Sequence, residues 1–381
     1  METERDVYRE LQKHLDNMPV GFPATASGVE IRLLKHLFTP EEAEIALNLS
    51  AVPETLERIY GRVKNSKDIS REELEEILDG LVEKGAIMGG KTLTKGREGK
   101  YYRKAQLAIG MFEFQVNRLT KEFAQDFFQY GDEAFAEAFH TKKTSQLRTI
   151  PINKSIRPEY HVGTYDNAKL IVQNSVGPIS VHHCVCRQAR DKLEQPCKQT
   201  DIRETCITFQ GAAKSLIESG VGRELSKEEA FELLDRAEEV GMVLQPENNQ
   251  NPSFICCCCG CCCGVLTMAK KFPRPAEYFH TNFFAEVDKN LCAGCETCLS
   301  RCQMEAISMG DNVATVNLDR CIGCGLCATT CEVNAIKLMK KEKETVPPKN
   351  QEALYKKIMF EKLGPLGTLK MMSQILLGRK I

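Results

Sequence analysis

Eight cysteines near the C-terminal end repeat one spacing twice. The first set is Cys292, Cys295, Cys298 and Cys302; the second is Cys321, Cys324, Cys327 and Cys331. Each reads C-x2-C-x2-C-x3-C, and the second copy follows the first at an offset of 29 residues. Three thiolates separated by two residues lie on one tight loop, and that loop can cap three iron corners of a [4Fe–4S] cube. The fourth corner needs a ligand from elsewhere. Zinc favours paired C-x2-C knuckles with four ligands in all, not four grouped cysteines twice. The spacing therefore predicts two cubes, close enough to exchange electrons.

The repeat reaches beyond the thiols. Val287-Asp288-Lys289-Asn290-Leu291 precedes one copy and Val316-Asn317-Leu318-Asp319-Arg320 the other; Ala306-Ile307 and Ala335-Ile336 follow them. Over about residues 285–340 the chain resembles the bacterial two-cluster ferredoxins. The resemblance implies two strand–loop–helix halves around a pseudo-twofold axis. It also implies crossed ligation: Cys292, Cys295, Cys298 and Cys331 for one cluster, Cys321, Cys324, Cys327 and Cys302 for the other. The chain departs from the family after each fourth cysteine, where proline is usual and Gln303 and Glu332 stand instead.

All 19 cysteines fall between residues 184 and 331, so the metal-bearing part is separable from a cysteine-free front. The N-terminal METERDVYRE is charged and lacks a signal-peptide core. The expected location is cytoplasmic, where thiols stay reduced and cysteines serve metals rather than disulfides. A net charge of −1 gives no general attraction to nucleic acid or anionic membranes. No apolar run is long enough to cross a bilayer.

Residues 1–110 read as helices and a hairpin. Ile31, Leu33, Leu34, Leu37 and Phe38 form an amphipathic stretch, Thr39-Pro40-Glu41-Glu42 starts a helix, and Val52-Pro53-Glu54 opens another. Ser70 and Glu73 spell a capping box before Leu74, Ile77, Leu78, Leu81 and Val82, and Gly85 ends that helix. The order resembles a winged helix. Its presumptive recognition helix is acidic (Glu72, Glu73, Glu75, Glu76, Asp79, Glu83), which opposes entry into a DNA groove. The hairpin is basic (Lys91, Lys95, Arg97, Lys100, Arg103, Lys104). A docking module is the expectation, without a nucleic-acid partner. Residues 111–145, rich in phenylalanine, read as a helical linker whose rings serve core and interdomain packing.

The middle part, residues 146–284, carries the other thiols. A strand at Ile179–Val181 leads to His182, His183, Cys184, Cys186 and Arg187, then Cys197 and Cys206. Four thiols with Arg187 and Arg190 beside them suit a third cube, the histidines lying outside the ligand set. A capping box at Ser226–Glu229 starts a helix over 225–243. Then come Cys256, Cys257, Cys258, Cys259, Gly260, Cys261, Cys262 and Cys263. Side chains alternate along an extended chain, so these seven thiols cannot all face one ion. The run ligates a fourth cubane, or shares a larger or non-cubane cluster with Cys184–Cys206, or leaves some thiols as apolar core.

Residues 341–381 read as a linker and an amphipathic tail, broken at Gly364-Pro365, that docks a partner or a second copy or touches a membrane surface. Neither G-x-G-x-x-G nor C-x3-C-x2-C occurs. The whole pattern resembles a family of anaerobe multi-cluster iron–sulfur proteins with a winged-helix front end. The expectation is an α+β chain: winged-helix-like domain, helical linker, cysteine-rich domain, two-cluster ferredoxin domain and helical tail. It would pass single electrons between a low-potential donor and a partner oxidoreductase, as a carrier more than a stand-alone enzyme. Two alternatives are a redox-sensing winged-helix regulator and an oxidoreductase with a special cluster at the seven-cysteine run.

Overall fold

The computed structural model describes residues 6–94, 97–140, 143–160, 162–377 and 379–380; the side chains of 91–98 and 376 lie outside that description. Lys95 of the basic hairpin, and the side chains of Lys91 and Arg97, are among the parts not described. Helices and strands mix as an α+β chain. It divides into two compact units, Met1–Phe139 with Met359–Ile381, and His140–Ile358.

In the first unit the helix starts are local chemistry. Thr39 and Ser70 accept the third helical amide at 3.3 and 3.1 Å, and Glu42 and Glu73 return to the cap amide at 2.7 and 2.8 Å. These boxes start the helices Pro40–Ala46 and Arg71–Glu83. The helix expected from Val52-Pro53-Glu54 begins later, at Leu56. Glu54 and Thr55 form a short strand instead (β1, Glu54–Thr55), pairing with Tyr102 and Tyr101. With β2 (Ile87–Thr94) and β3 (Arg97–Lys104) it makes an antiparallel sheet of order β1-β3-β2. Gly85–Thr92 spells G-x4-G-K-T. It runs from a helix end into β2, the reverse of the strand-to-helix turn that cradles phosphate.

The phenylalanine-rich stretch is not a bare linker. Phe112, Phe123, Phe127 and Phe135 are buried, Asp126 takes Arg32 at 2.8 Å, and the Tyr130 hydroxyl donates to the Pro23 carbonyl at 2.9 Å. The first unit therefore extends to Phe139 because these rings supply its core. Gly364, at φ +67°, interrupts the C-terminal helix Gln351–Leu376 before Pro365, as the sequence implies. No helix of the described residues is long and apolar enough to cross a membrane.

Lys104 is buried, donating to the His14 carbonyl at 3.0 Å, and burial with Lys380 and Lys362 nearby lowers its pKa to about 7. Between about pH 7 and 10 the unfolded chain keeps this proton while the fold does not. Stability of the first unit should therefore rise with pH across that window, by at most about 1.4 kcal/mol per unit. In Lys104→Met the slope should flatten. Urea unfolding followed by hydrogen-exchange pulses at one labelling pH measures it.

The second unit is built on a five-stranded antiparallel sheet of order β6-β4-β5-β8-β7. Its strands are β4 (Ile179–His183), β5 (Glu204–Phe209), β6 (Arg223–Leu225), β7 (Val243–Pro246) and β8 (Phe254–Cys258). The helix Lys227–Glu239, capped by the expected Ser226–Glu229 box, buries Ala230, Leu234 and Ala237 in the same core as Ile207 and Ile255. That core also takes Met304, Ile322 and Leu326. Part of the ferredoxin-like segment thus joins the core of the cysteine-rich one, while Ala285, Cys298, Ala314, Cys327 and Ile336 form a second cluster of their own.

Residues 283–340 add four strands: β9 (Phe283–Val287), β10 (Ile307–Gly310), β11 (Val313–Val316) and β12 (Ile336–Lys340). β9 pairs with β12 and β10 with β11, so each half lends a strand to the other. Asp288 N–H donates to the Ala335 carbonyl and Asn317 N–H to that of Ala306, both at 2.8 Å. These are the same bond 29 residues apart, with the halves exchanged.

Candidate metal centres

The duplicated halves place their sulfurs by duplicated backbone. Ala306 N–H donates to Cys302 Sγ at 3.1 Å and Ala335 N–H to Cys331 Sγ at 3.2 Å. Ala314 N–H reaches Cys292 Sγ and Ala285 N–H reaches Cys321 Sγ, each at 3.4 Å. Left-handed residues recur at the same offset: Gly294 with Gly323, Glu296 with Gly325, Glu305 with Asn334. At Gly323 a Cβ would sit 2.2 Å from the Phe283 carbonyl oxygen, so that turn requires glycine. Amides aimed at thiolate sulfur stabilise its charge and tune a bound cluster.

The sulfurs gather across the halves. Cys292, Cys295, Cys298 and Cys331 line one cavity, with Met309, Ala314 and Ile336 forming apolar walls. Cys302 is electrostatically coupled to Cys321, Cys324 and Cys327. Both donor sets are four thiols in an apolar, amide-lined setting, which suits a [4Fe–4S] cube. Each set has one buried thiol, Cys298 or Cys327, but only the first has an exposed one, Cys295. Cys302 and Cys324 of the second, inner set pack against the core of the five-stranded sheet.

The middle cysteines divide differently from the C-x-C-x10-C-x8-C grouping. Register sets Cys206 opposite Cys256, and Cys256 opposite Gln245. Cys206 neighbours Cys256, Cys256 neighbours Cys258, and Cys258 neighbours Cys263. Cys263 neighbours Cys186, which neighbours Cys184 at the head of the helix Val185–Lys192. Six thiols thus form one connected file. Neighbouring thiols and burial push the Cys184 thiol well above its usual range. Thiols so crowded ionise together only with a cation among them.

Cys197 leaves that file. It meets Cys259, Cys261 and Cys262, and the four sulfurs lie within 4.8 Å of one another. Hydrogen bonds from those three thiols hold Cys197 far below the ordinary thiol range. Strand alternation explains the division: Cys256 and Cys258 share one face of β8, and the chain turns after it, Cys263 N–H returning to the Cys259 carbonyl at 3.1 Å.

Cys257 joins neither group. It points to the opposite face of β8, buried in the apolar core, and burial pushes its thiol up to about 12. Cys257→Ala should leave iron and sulfide per chain unchanged, whereas Cys258→Ser should lower both; metal analysis of the two variants decides it. His182 bonds the His183 carbonyl through Nδ1 at 2.9 Å, and His183 Nδ1 meets Gln188 Nε2 at 3.2 Å. Each histidine thus has one ring nitrogen engaged, and His182 lies close enough to Cys256 to act on its charge.

Gln303 is a residue whose importance the sequence concealed, and Arg187 is one it placed beside the thiols without showing its burial. Gln303 follows Cys302, in the place where a proline was expected. Its Oε1 accepts Gly260 N–H at 2.7 Å and its Nε2 donates to Gln199 Oε1 at 3.2 Å. Proline there could not grip the cysteine turn. Gly260 answers it: a Cβ at that position would lie 2.2 Å from the Gln303 carbonyl oxygen. Arg187 is fully buried between the two middle groups, coupled to Cys184 on one side and to Cys259 and Cys197 on the other.

Comparison with known proteins places one segment. Residues 285–339 match a family model described as a 4Fe-4S dicluster domain. No curated protein and no solved structure matches the chain.

Proposed function

We propose, from the premise that residues 285–339 are a ferredoxin-type segment holding two [4Fe–4S] clusters, that the whole chain is a multi-centre electron-transfer protein. The dicluster segment and the 19 cysteines support iron–sulfur electron transfer. Such clusters supply one-electron redox chemistry. What the chain supplies is order. The set Cys292, Cys295, Cys298 and Cys331, with its exposed thiol, suits contact with an external redox protein. The inner set abuts the cysteine-rich part. Cys302 and Cys324 of the inner set pack against the core that includes Cys258 and Cys263 of the six-thiol file. That adjacency is the observation that carries the proposal: the second unit is arranged as a path from a surface cluster inward.

The front unit supports protein docking over nucleic-acid binding. Lys100 of the hairpin is taken up by Glu75 at 2.9 Å and by Asp79, both on the acidic helix. The partner would be an oxidoreductase of anaerobic metabolism, in a reducing compartment. In the tail, Leu366 and Leu369 are exposed and offer a second docking face.

Anaerobic purification with iron and sulfide analysis and electron paramagnetic resonance tests the reading. Iron clearly above about eight atoms per chain is expected, the excess falling in Cys258→Ser while the signals of the dicluster segment persist. A chain isolated anaerobically without iron would end the proposal.

A further inference from the structure

We propose that Cys197, Cys259, Cys261 and Cys262 hold a single tetrahedral divalent ion, zinc or ferrous iron, and not a cubane. This is a separate centre from the clusters invoked above and does not depend on their passing electrons.

The distances carry it. Cys197 Sγ stands 3.6 Å from Cys259 Sγ and 3.7 Å from Cys261 Sγ, and Cys261 Sγ stands 3.6 Å from Cys262 Sγ. Four thiolates at about 2.3 Å from one metal define a tetrahedron with edges of about 3.8 Å. A cubane spreads its ligands over four irons, which sets them farther apart. The chain contains its own comparison. Among the described residues, the Cys197 group is the set of three or more candidate ligands whose donor atoms close to within 4.8 Å. The eight sulfurs of the dicluster segment do not draw together in this way.

The backbone is shaped for the ion. Cys262 and Cys263 N–H both point to the Cys259 carbonyl, at 3.4 and 3.1 Å, so three thiols of one turn converge. Gln303 pins Gly260 N–H, and Lys270 Nζ donates to the Gly260 carbonyl at 3.1 Å. Cys197 closes the set from the loop ahead of β5. Cys259 and Cys262 are buried, and four protein ligands leave no position open, as in a structural site. A soft all-sulfur tetrahedron selects zinc or iron among common divalent ions. Two anionic charges remain on such a centre, and Arg187 faces it from Cys197 and Cys259.

The test uses the full chain, purified anaerobically, with zinc, iron and acid-labile sulfide counted per chain in wild type, Cys197→Ser and Cys261→Ser. Expected is the loss of one metal equivalent in each variant with sulfide unchanged. In wild type, zinc-edge X-ray absorption should show four sulfur neighbours and no metal neighbour. If the ion is iron, mild oxidation should give the high-spin ferric signal of an isolated tetrathiolate. Loss of about four sulfides with the metal, or full metal retention in both variants, overturns the site. Absence from wild type of both the zinc edge and the ferric signal also overturns it, without relying on a variant that folds. Resonance signals of the dicluster segment read the electron-transfer proposal independently, so either idea can fail alone.

Discussion

Cys302→Ala should cost the chain the cluster of the second cysteine motif, although Cys302 belongs to the first. The arrangement of the sulfurs favours this crossing. Cys331 lines the cavity of Cys292, Cys295 and Cys298, while Cys302 is coupled to Cys321, Cys324 and Cys327. Each fourth ligand is anchored in place by its own alanine amide, Ala306 or Ala335. Those alanines are in turn bonded to the other half, through Asn317 and Asp288. Iron and sulfide should each fall by about four per chain in Cys302→Ala. Pairing the variants identifies which cluster has gone. Cys302→Ala with Cys324→Ala should lose no more than either alone, because both remove ligands of one cluster. Cys302→Ala with Cys295→Ala should lose about eight irons, because they act on separate ones. The reverse result, additive loss with Cys324 and none beyond the single variant with Cys295, would place Cys302 on the cluster of its own motif and dismantle the interleaved halves.

Much of this centre is legible in the chain before folding, and the reason is locality. Thiol spacing and the boxes at Thr39, Ser70 and Ser226 are each set within one helical turn or one loop, and the 29-residue repeat copies such a loop. The left-handed residues Gly294 and Gly323 belong to those same loops, whereas Glu296, in the left-handed region at φ 61°, hides behind a residue type that seldom adopts it. The middle thiols are different. Which of them meet depends on the β5–β8 register, on alternation along β8 and on a turn that reverses at Cys259, none of which the spacing Cys184–Cys206 encodes. Gln303 reads as a family departure until Gly260 is seen against its carbonyl. The shared core of the second unit, with Ile322 and Leu326 beside Ile207 and Ile255, is likewise a long-range event that segment boundaries at 284 and 285 could not anticipate.

Arg187→Met should cost far more in the metal-loaded than in the metal-free protein. The guanidinium is fully buried, and its partners are neutral: Thr205 Oγ1 at 2.5 Å, the Cys257 carbonyl at 3.2 Å and Met242 Sδ at 3.5 Å. Its Nε has no partner, and among the described residues no carboxylate pairs with it. Burial disfavours its charge, but the sulfurs of Cys184 and Cys259 more than offset that and hold its proton more tightly than usual. The counter-charge is thus the thiolate centres themselves. Removing the cation from the loaded protein leaves anionic centres buried without compensation, a loss of about 3 kcal/mol or more. Bleaching of the non-ferredoxin absorbance in guanidinium should then accelerate roughly 100-fold. Arg187→Lys, which keeps the charge but not the fork of hydrogen bonds, should fall between the two. In chelator-stripped protein much of that thiolate charge is lost, Cys197 keeping its share, so Arg187→Met should lower the unfolding guanidinium concentration much less than in the loaded protein. Equal destabilisation in both states would reduce Arg187 to a packing residue and remove the strongest electrostatic reason for placing metal on either side of it.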